Sequence, residues 1–141
     1  MVQLKKLKHF NKLRNRNFNK HYNFFKKFRN FFTLPKIIST VSTNFLAYPI
    51  IINENKWFNR KDLQIFLEQN NIQTRPIFSG NILRHPAFSN LISKKNKITS
   101  LKNADYIMKN GILIGCHQGL NIKDINYIHF IILKFLKTHC A

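Results

Sequence analysis

The first 34 residues contain neither proline nor glycine, and this uninterrupted stretch constrains the fold more than any other feature. Within it, apolar side chains recur at spacings near three and four, separated by Lys, Arg and Asn. The recurring positions are Leu4, Leu7, Phe10, Leu13, Phe18, Tyr22, Phe25 and Phe28. We therefore predict one helix over 3–30, ended by the TLPK segment at 33–36. Such a helix spans roughly 40 Å, which is long for a 141-residue chain and suggests that its apolar face contacts something outside this chain.

The positive charge is concentrated at the same end. Residues 1–36 carry eleven Lys and Arg and no acid, and the whole chain has a net charge of +19. Such a charge attracts polyanions, including nucleic acids, anionic membranes and nucleotide substrates. However, the chain also holds nineteen Asn, nineteen Ile and fourteen Phe, and these residues share A- and T-rich codons with Lys. Selection for binding and a base-composition bias both remain open as explanations.

Length and cysteine content indicate one domain in a reducing compartment. The two cysteines, Cys116 and Cys140, do not form a disulfide framework, so a cytoplasmic location is expected. The longest apolar run, FLAYPIII at 45–52, is far shorter than the roughly 20 residues of a membrane span. The basic start lacks the apolar region of a secretory signal, while an organelle transit peptide is a minor alternative.

The rest of the chain alternates strands and helices. We predict strands at 44–53, 72–78 and 111–116, helices at 59–71, 104–110 and 121–139, and a polar linker at 93–103. Pro49 favours an edge position or a bulge in the first strand. The order predicts a small α/β or α+β domain with a short mixed sheet of about three strands, covered by helices.

No residue pattern predicts a metal site or a catalytic residue. The candidate metal ligands are His85, Cys116, His117, His139 and Cys140. No pair among them has the spacing that places two ligands on one zinc ion, so we predict no metal. The five acids do not pair locally with a histidine, and no nucleophile or phosphate-loop motif is present.

The segment TRPIFSGNILRHPAF, 74–88, is the best candidate for a binding site. Arg75 leaves a predicted strand, Gly80 permits a tight turn, and Asn81 and Arg84 follow on a loop bounded by prolines. Arginine forks suit phosphate or carboxylate groups. Two solvated arginines on a surface turn explain the same pattern, and the residues alone leave both interpretations open.

The same segment resembles a known family. Thr74-Arg75, Phe78, Gly80-Asn81, Arg84 and Pro86-Ala87-Phe88 are similar to a motif of the DegT/DnrJ/EryC1/StrS pyridoxal-phosphate-dependent aminotransferases. Within that family the chain resembles the CDP-4-keto-6-deoxyglucose 3-dehydrase branch of lipopolysaccharide biosynthesis. The long first helix, the strand-helix-strand segment at 44–75 and ADYIMKNGILIGCHQGL at 104–120 match the family in order. His85 and Gln118 depart from it, since Gln and Pro are usual at these positions.

The resemblance implies a C-terminal small domain at 37–141, preceded by the long helix and its connector at 1–36. It also implies a large domain that binds pyridoxal or pyridoxamine phosphate and carries the catalytic Lys or His, and 141 residues leave no room for one. The chain is then expected to be either a truncated gene product or one half of a split enzyme. The expected activity is nucleotide-sugar dehydration or transamination, performed with an upstream-encoded half or a dimer partner. Arg75, Asn81 and Arg84, and also His117, are then expected to line the substrate cleft, and this chain is expected to contain no catalytic residue.

A small nucleic-acid-binding protein is the alternative hypothesis. The first helix interleaves basic and aromatic residues, which suits phosphate contact and base stacking. Its exposed cations would include Lys5, Lys6, Lys8 and Lys12. Because the aromatic residues also fall at core spacing, packing inside the protein is the stronger interpretation of them.

Overall fold

The structure is a computed structural model that describes residues 2–91 and 101–140. Four helices and four strands alternate along this part of the chain. The helices are α1 (Val2–Phe25), α2 (Arg60–Gln69), α3 (Lys102–Asn110) and α4 (Ile122–His139). The strands are β1 (Phe32–Thr33), β2 (Ala47–Ile52), β3 (Thr74–Pro76) and β4 (Gly111–Gly115). Short 3-10 turns at Lys26–Phe28, Ile82–Arg84 and Pro86–Leu91 complete it.

The strands form one antiparallel sheet in the order β1-β2-β4-β3. Ala47 pairs with Gly115 and Thr74 pairs with Ile114, so β2 and β3 begin at the same end of the sheet at which β4 ends. β2 and β3 point the same way, but β4 lies between them and runs opposite to both. The predicted α/β class is confirmed, whereas the predicted mixed sheet of about three strands is replaced by four antiparallel strands.

The core lies between the sheet and helices α1, α2 and α4. Alternate residues of β2 are buried, in the period of two that a half-covered strand requires. The predicted packing face of α4 is confirmed: Ile125, Ile128, Ile131, Ile132 and Phe135 are all buried. Phe18 and Phe25 of α1 join this core and pack on Tyr48. These two rings are therefore unavailable for stacking on nucleic-acid bases.

Helices α2 and α4 begin at the predicted caps. The side chain of Asn59 accepts hydrogen bonds from backbone N–H groups in the first turn of α2. The Asp62 carboxylate in turn accepts a hydrogen bond from the Asn59 backbone N–H. Asn121 and Asp124 form the same capping box on α4. Each cap satisfies N–H groups that the helix leaves without partners.

The first helix ends earlier than predicted. It stops at Phe25, and after a 3-10 turn the chain forms the unpredicted strand β1, whose two residues pair with Ile51 and Ile52. Pro49 therefore lies where β2 has no described strand on its β1 side, as an edge proline requires. At the other end of α1, Val2, Leu4 and Leu7 are exposed. The predicted linker at 93–103 falls mostly outside the described residues, and α3 already begins at Lys102.

Candidate functional site

A cavity of about 500 Å³ opens where β4 ends and β2 and β3 begin. Its walls are mainly apolar and include Leu46, Leu113 and Ile128. Polar groups line it as well, among them Arg75 at the start of β3 and His117 in the turn after β4. An apolar hollow with a few convergent polar groups is the usual form of a small-molecule site.

Arg75 is held by the edge strand on which it stands. Glu68 accepts hydrogen bonds from the Thr74 backbone N–H at 2.6 Å and from its hydroxyl at 2.7 Å. These bonds lower the pKa of Glu68, because they stabilise its carboxylate form. Nη1 of Arg75 donates to the Thr74 carbonyl oxygen at 3.0 Å. The other guanidinium donors of this exposed residue have no hydrogen bond to another described residue, although the charge also acts on Glu68. These donors can bind an anionic ligand at the cavity.

His117 is oriented by its own turn. The Gly119 backbone N–H donates to Nδ1 of His117 at 3.1 Å, so the neutral ring carries its proton on Nε2. A Cβ atom at position 119 would lie 3.0 Å from Nδ1, which explains why glycine suits this position. The turn therefore leaves an imidazole N–H donor on an exposed residue that lines the cavity.

The carboxylate of Asp124, in the same cavity wall as His117, is already hydrogen-bonded within the protein. Asp124 also lines the cavity, but its Oδ2 accepts from the Asn121 backbone N–H at 2.8 Å in the cap of α4. Its structural role is to start the helix that forms one wall.

Asn81 and Arg84 lie elsewhere, in the loop after β3, and contact Asp105 of α3. Asn81 is buried, and its Nδ2 donates to Asp105 Oδ1 at 2.7 Å. Arg84 donates hydrogen bonds from Nε and Nη2 to the two carboxylate oxygens of Asp105, at 2.9 and 2.7 Å. Arg84, and to a lesser degree Asn81, lower the pKa of Asp105 to about 2. The structure thus brings Arg75 and His117 to one cavity and does not place Asn81 or Arg84 among its described lining residues. Their contact with a substrate stays a prediction.

The loop that follows β3 is strained, and several contacts fix its conformation. Phe78 has a φ of 46° and is 87% exposed, whereas Gly80 has a φ of 62°. A Cβ atom at Gly80 would lie 2.5 Å from Met108 Cγ, so the loop approaches α3 closely. The His85 ring bonds to the Ser79 carbonyl oxygen. The histidine that departs from the family motif therefore helps to close the loop.

Several supporting residues were not predicted from the sequence. Arg14, Arg16, Asn17 and His21 of α1 all bond to the turn at 115–120 that carries His117. Gln118, the second departure from the family, accepts from Nε of Arg14 at 2.7 Å. The sequence did contain a signal for two of them, because the polar residues Asn17 and His21 lie one helical turn apart, on either side of the buried Phe18.

His21 also joins α1 to α4. Its Nδ1 lies 3.1 Å from Nε2 of His129, and its Nε2 lies 3.0 Å from the Gly115 carbonyl oxygen. Burial lowers the pKa of His21 to about 4. The pKa of His129 is lowered by burial and by the neighbouring His21, Lys20 and Lys27. Both rings are therefore neutral near pH 7.

Other chemistry is absent from the described part of the chain. It contains no group of three or more His, Cys, Asp and Glu residues placed to hold a metal ion. Cys116 is a buried thiol whose pKa is raised to about 12 by burial. No helix among the described residues is long and apolar enough to cross a membrane.

Comparison with known proteins identifies one family. Residues 1–132 match the profile of the DegT/DnrJ/EryC1/StrS aminotransferase family. The lipopolysaccharide biosynthesis protein RfbH of Salmonella typhimurium is 30% identical over 128 residues, which cover 91% of this chain and 29% of that protein. The dTDP-4-dehydro-2,6-dideoxy-D-glucose 3-dehydratase of Saccharopolyspora spinosa is 32% identical over 108 residues, 73% of this chain and 23% of that enzyme.

A solved structure gives the same result. The E. coli GDP-4-keto-6-deoxy-D-mannose-3-dehydratase with bound hydrated PLP superposes with a TM-score of 0.73 at 26% identity. The match covers 92% of this chain and 32% of the enzyme chain. This chain therefore spans less than a third of the length of each of these two curated relatives.

Proposed function

Because this chain belongs to the DegT/DnrJ/EryC1/StrS aminotransferase family, we propose that it forms the small-domain wall of a nucleotide-sugar site. The enzyme would be a pyridoxal- or pyridoxamine-phosphate-dependent dehydratase or aminotransferase of lipopolysaccharide deoxysugar synthesis. The observation that carries the proposal is the meeting of Arg75, from the family motif, and His117 at one cavity.

The chemistry of this cavity suits a nucleotide-linked sugar. A guanidinium group binds phosphate oxygens through charged, directional hydrogen bonds. The Nε2–H of His117 can donate to a sugar hydroxyl or a phosphate oxygen, since Gly119 already occupies Nδ1. The apolar walls exclude water around the ligand. Two of the relatives are named as 3-dehydratases of dTDP- and GDP-linked 4-keto sugars, which supports this substrate class.

The cavity does not fit the cofactor by itself. A pyridoxal phosphate site requires a lysine or its substitute, and a carboxylate for the ring nitrogen. No lysine is among the described residues that line the cavity, and its carboxylate, Asp124, is bonded in a helix cap. We therefore assign the cofactor and the catalytic residue to a separate cofactor-binding domain. The role of this chain is to bind and orient the sugar nucleotide.

The exposed apolar end of α1 supports a covering domain or a dimer partner. Val2, Leu4 and Leu7 present apolar side chains in the described structure. Leu4 and Leu7 are three residues apart and lie on one face of α1, and exposed apolar side chains that share a face can mark an interaction site. We expect the assembly to work in the cytoplasm, consistent with two free cysteines, Cys116 and Cys140.

Binding of a nucleoside diphosphate sugar tests the proposal. We expect GDP-mannose to shift the NMR signals of Arg75 and His117 saturably, and Arg75→Ala to weaken this binding. Arg29→Ala removes one exposed arginine outside the cavity and serves as the matched control. Equal binding by both variants would contradict the assignment of Arg75, and shifts confined to α1 would place the ligand elsewhere.

A further inference from the structure

The turn that carries His117 is held from outside by α1. Three of its backbone carbonyl oxygens, those of Gly115, His117 and Leu120, accept hydrogen bonds from α1 side chains. The donors are about 100 residues away in sequence, so these bonds are tertiary contacts. The turn's carbonyls are fixed by a rigid helix, and this limits the directions in which His117 can point.

Asn17 is the centre of this contact. Its side chain is fully buried, and Nδ2 donates to the His117 carbonyl at 2.9 Å and to the Leu120 carbonyl at 3.1 Å. Its Oδ1 accepts from Arg16 at 3.1 and 2.9 Å, and Arg16 also reaches the Leu120 carbonyl at 3.2 Å. A buried amide stabilises a fold only when its polar groups are paired. Here both bonds that Nδ2 donates go to the turn, whereas Oδ1 is paired to Arg16, so the amide group fixes the position of the turn relative to α1.

His21 holds the beginning of the same turn. The Gly115 carbonyl can only accept, so Nε2 of His21 carries the proton and Nδ1 is an acceptor. His129 must then donate through its own Nε2 to His21. While both rings are neutral, a single arrangement of protons satisfies the Gly115 carbonyl, His21 and His129 together. Protonation of His21 would place two donors opposite each other.

We propose that Asn17 and His21 are positioning residues of the sugar-nucleotide site, acting through the turn that presents His117. This inference rests on the proposed function for its purpose. The claim that α1 sets the orientation of the His117 ring can be tested independently of that function. Neither residue lines the cavity within the described part of the chain.

The test uses the 141-residue chain labelled with ¹⁵N. In the wild type, Nδ1 of His117 should show the chemical shift of a hydrogen-bond acceptor, and the Gly119 amide should exchange slowly. Asn17→Leu should remove that signature and speed Gly119 exchange roughly tenfold or more. Asn53→Leu is the matched control, because Asn53 also donates from a side-chain amide to two backbone carbonyls, those of Arg29 and Asn30. It should leave the His117 signals unchanged.

A conservative replacement at position 21 separates positioning from packing. Glutamine retains an N–H donor for the Gly115 carbonyl, whereas phenylalanine fills the space without one. His21→Gln should keep the His117 signature and His21→Phe should lose it, at comparable loss of thermal stability. Unchanged His117 signals in both Asn17→Leu and His21→Phe would overturn the inference.

Titration with inorganic pyrophosphate distinguishes the two proposals. If the wild type binds pyrophosphate at His117 and Asn17→Leu binds it at least tenfold more weakly, both proposals hold. If the wild type does not bind it but Asn17→Leu still loses the His117 signature, the positioning role stands and the proposed ligand fails. Equal binding with unchanged signals contradicts the positioning role alone.

Discussion

Nδ1 of His21 lies 3.1 Å from Nε2 of His129, and this contact joins α1 to α4 through two neutral imidazole rings. The remaining nitrogen of His21 bonds to Gly115, at the edge of the cavity. The stability of the helix pair and the shape of the candidate site therefore share one buried group.

Mild acid should destabilise the protein through this pair. Unfolded histidine binds a proton with a pKa of 6.5, whereas burial lowers the pKa of His21 to about 4 in the folded state. The unfolded state thus binds more protons between these values, and stability falls as pH falls through this window. The expected loss is on the order of 3 kcal/mol between pH 7 and pH 4.

Urea unfolding at several pH values measures this effect. The interval from pH 6.5 to 5 reports mainly on the histidines. Asp105 titrates below this interval, because its pKa is lowered from 3.8 to about 2. Lys20 and Lys27 face His129 and add to the penalty for charging it. His21→Gln should reduce the slope in this interval and leave the part that the burial of His129 contributes. A wild type with constant stability from pH 7 to pH 5 would refute the neutral pair.

Removal of the Asp105 carboxylate should release the loop at 77–91 from α3. Asp105→Ala leaves the buried Asn81 amide without its partner, and an unpaired buried amide costs about 1–3 kcal/mol. Lys109→Ala is the control, because it breaks an exposed ion pair with Glu54 at 3.6 Å that should contribute little. Thermal unfolding should show a clear drop for the first variant only, and equal midpoints would contradict the role of Asp105.

Tyr48→Phe should not destabilise the chain. The Tyr48 hydroxyl is buried and has no hydrogen-bond partner in the described structure, and burial raises its pKa. Its removal eliminates an unpaired polar group while retaining the ring that packs on Phe18 and Phe25. We expect an unchanged or higher unfolding midpoint in calorimetry. A loss above about 1 kcal/mol would mean that the hydroxyl has a partner.

Gly80→Ala should strain the motif loop in two ways. The φ of 62° disfavours a residue with a Cβ by roughly 1–2 kcal/mol, and that atom would contact Met108 at 2.5 Å. The variant should unfold at a lower temperature. Adding Met108→Ala should recover little of this loss, because it removes the Cγ contact but leaves Met108 Cβ 2.6 Å from the new atom. Full recovery in the double variant would show that the backbone angle contributes nothing.

RNA binding should depend on phosphate contacts and not on stacking by Phe18 or Phe25. The α1 rings of Phe18 and Phe25 are buried, so they cannot stack on bases. We expect binding that falls steeply with salt, weakens when Lys5, Lys6, Lys8 and Lys12 become Gln, and shows no preference among sequences. Affinity that is unchanged by salt and by these substitutions would contradict the nucleic-acid hypothesis.

Local patterns in the sequence predicted most of the secondary structure. The caps at Asn59 and Asn121 and the apolar face of α4 were readable, because each depends on residues within a few positions. The unpredicted strand β1 has two residues, Phe32 and Thr33, and exists through its pairing with Ile51 and Ile52. The antiparallel arrangement was equally non-local, since it follows from the insertion of β4 between β2 and β3.

The candidate site was only partly predictable for the same reason. Arg75 and His117 were named from a motif and a turn, but their meeting at one cavity depends on the pairing of β3 with β4. Asn81 and Arg84 belong to the same motif, yet both contact Asp105, which is more than 20 residues away. The support from Asn17 required knowledge of which turn α1 packs against.

Reconstitution with a cofactor-binding domain tests the central claim most directly. This chain would be mixed with the large domain of a family dehydratase, pyridoxamine phosphate and a nucleotide-linked 4-keto sugar, and loss of the C3 hydroxyl would be followed. The predicted result is a stable complex whose turnover falls at least tenfold with Arg75→Ala and stays unchanged with Arg29→Ala. No complex and no turnover, or equal turnover for both variants, would contradict the assignment of this cavity to the sugar-nucleotide site.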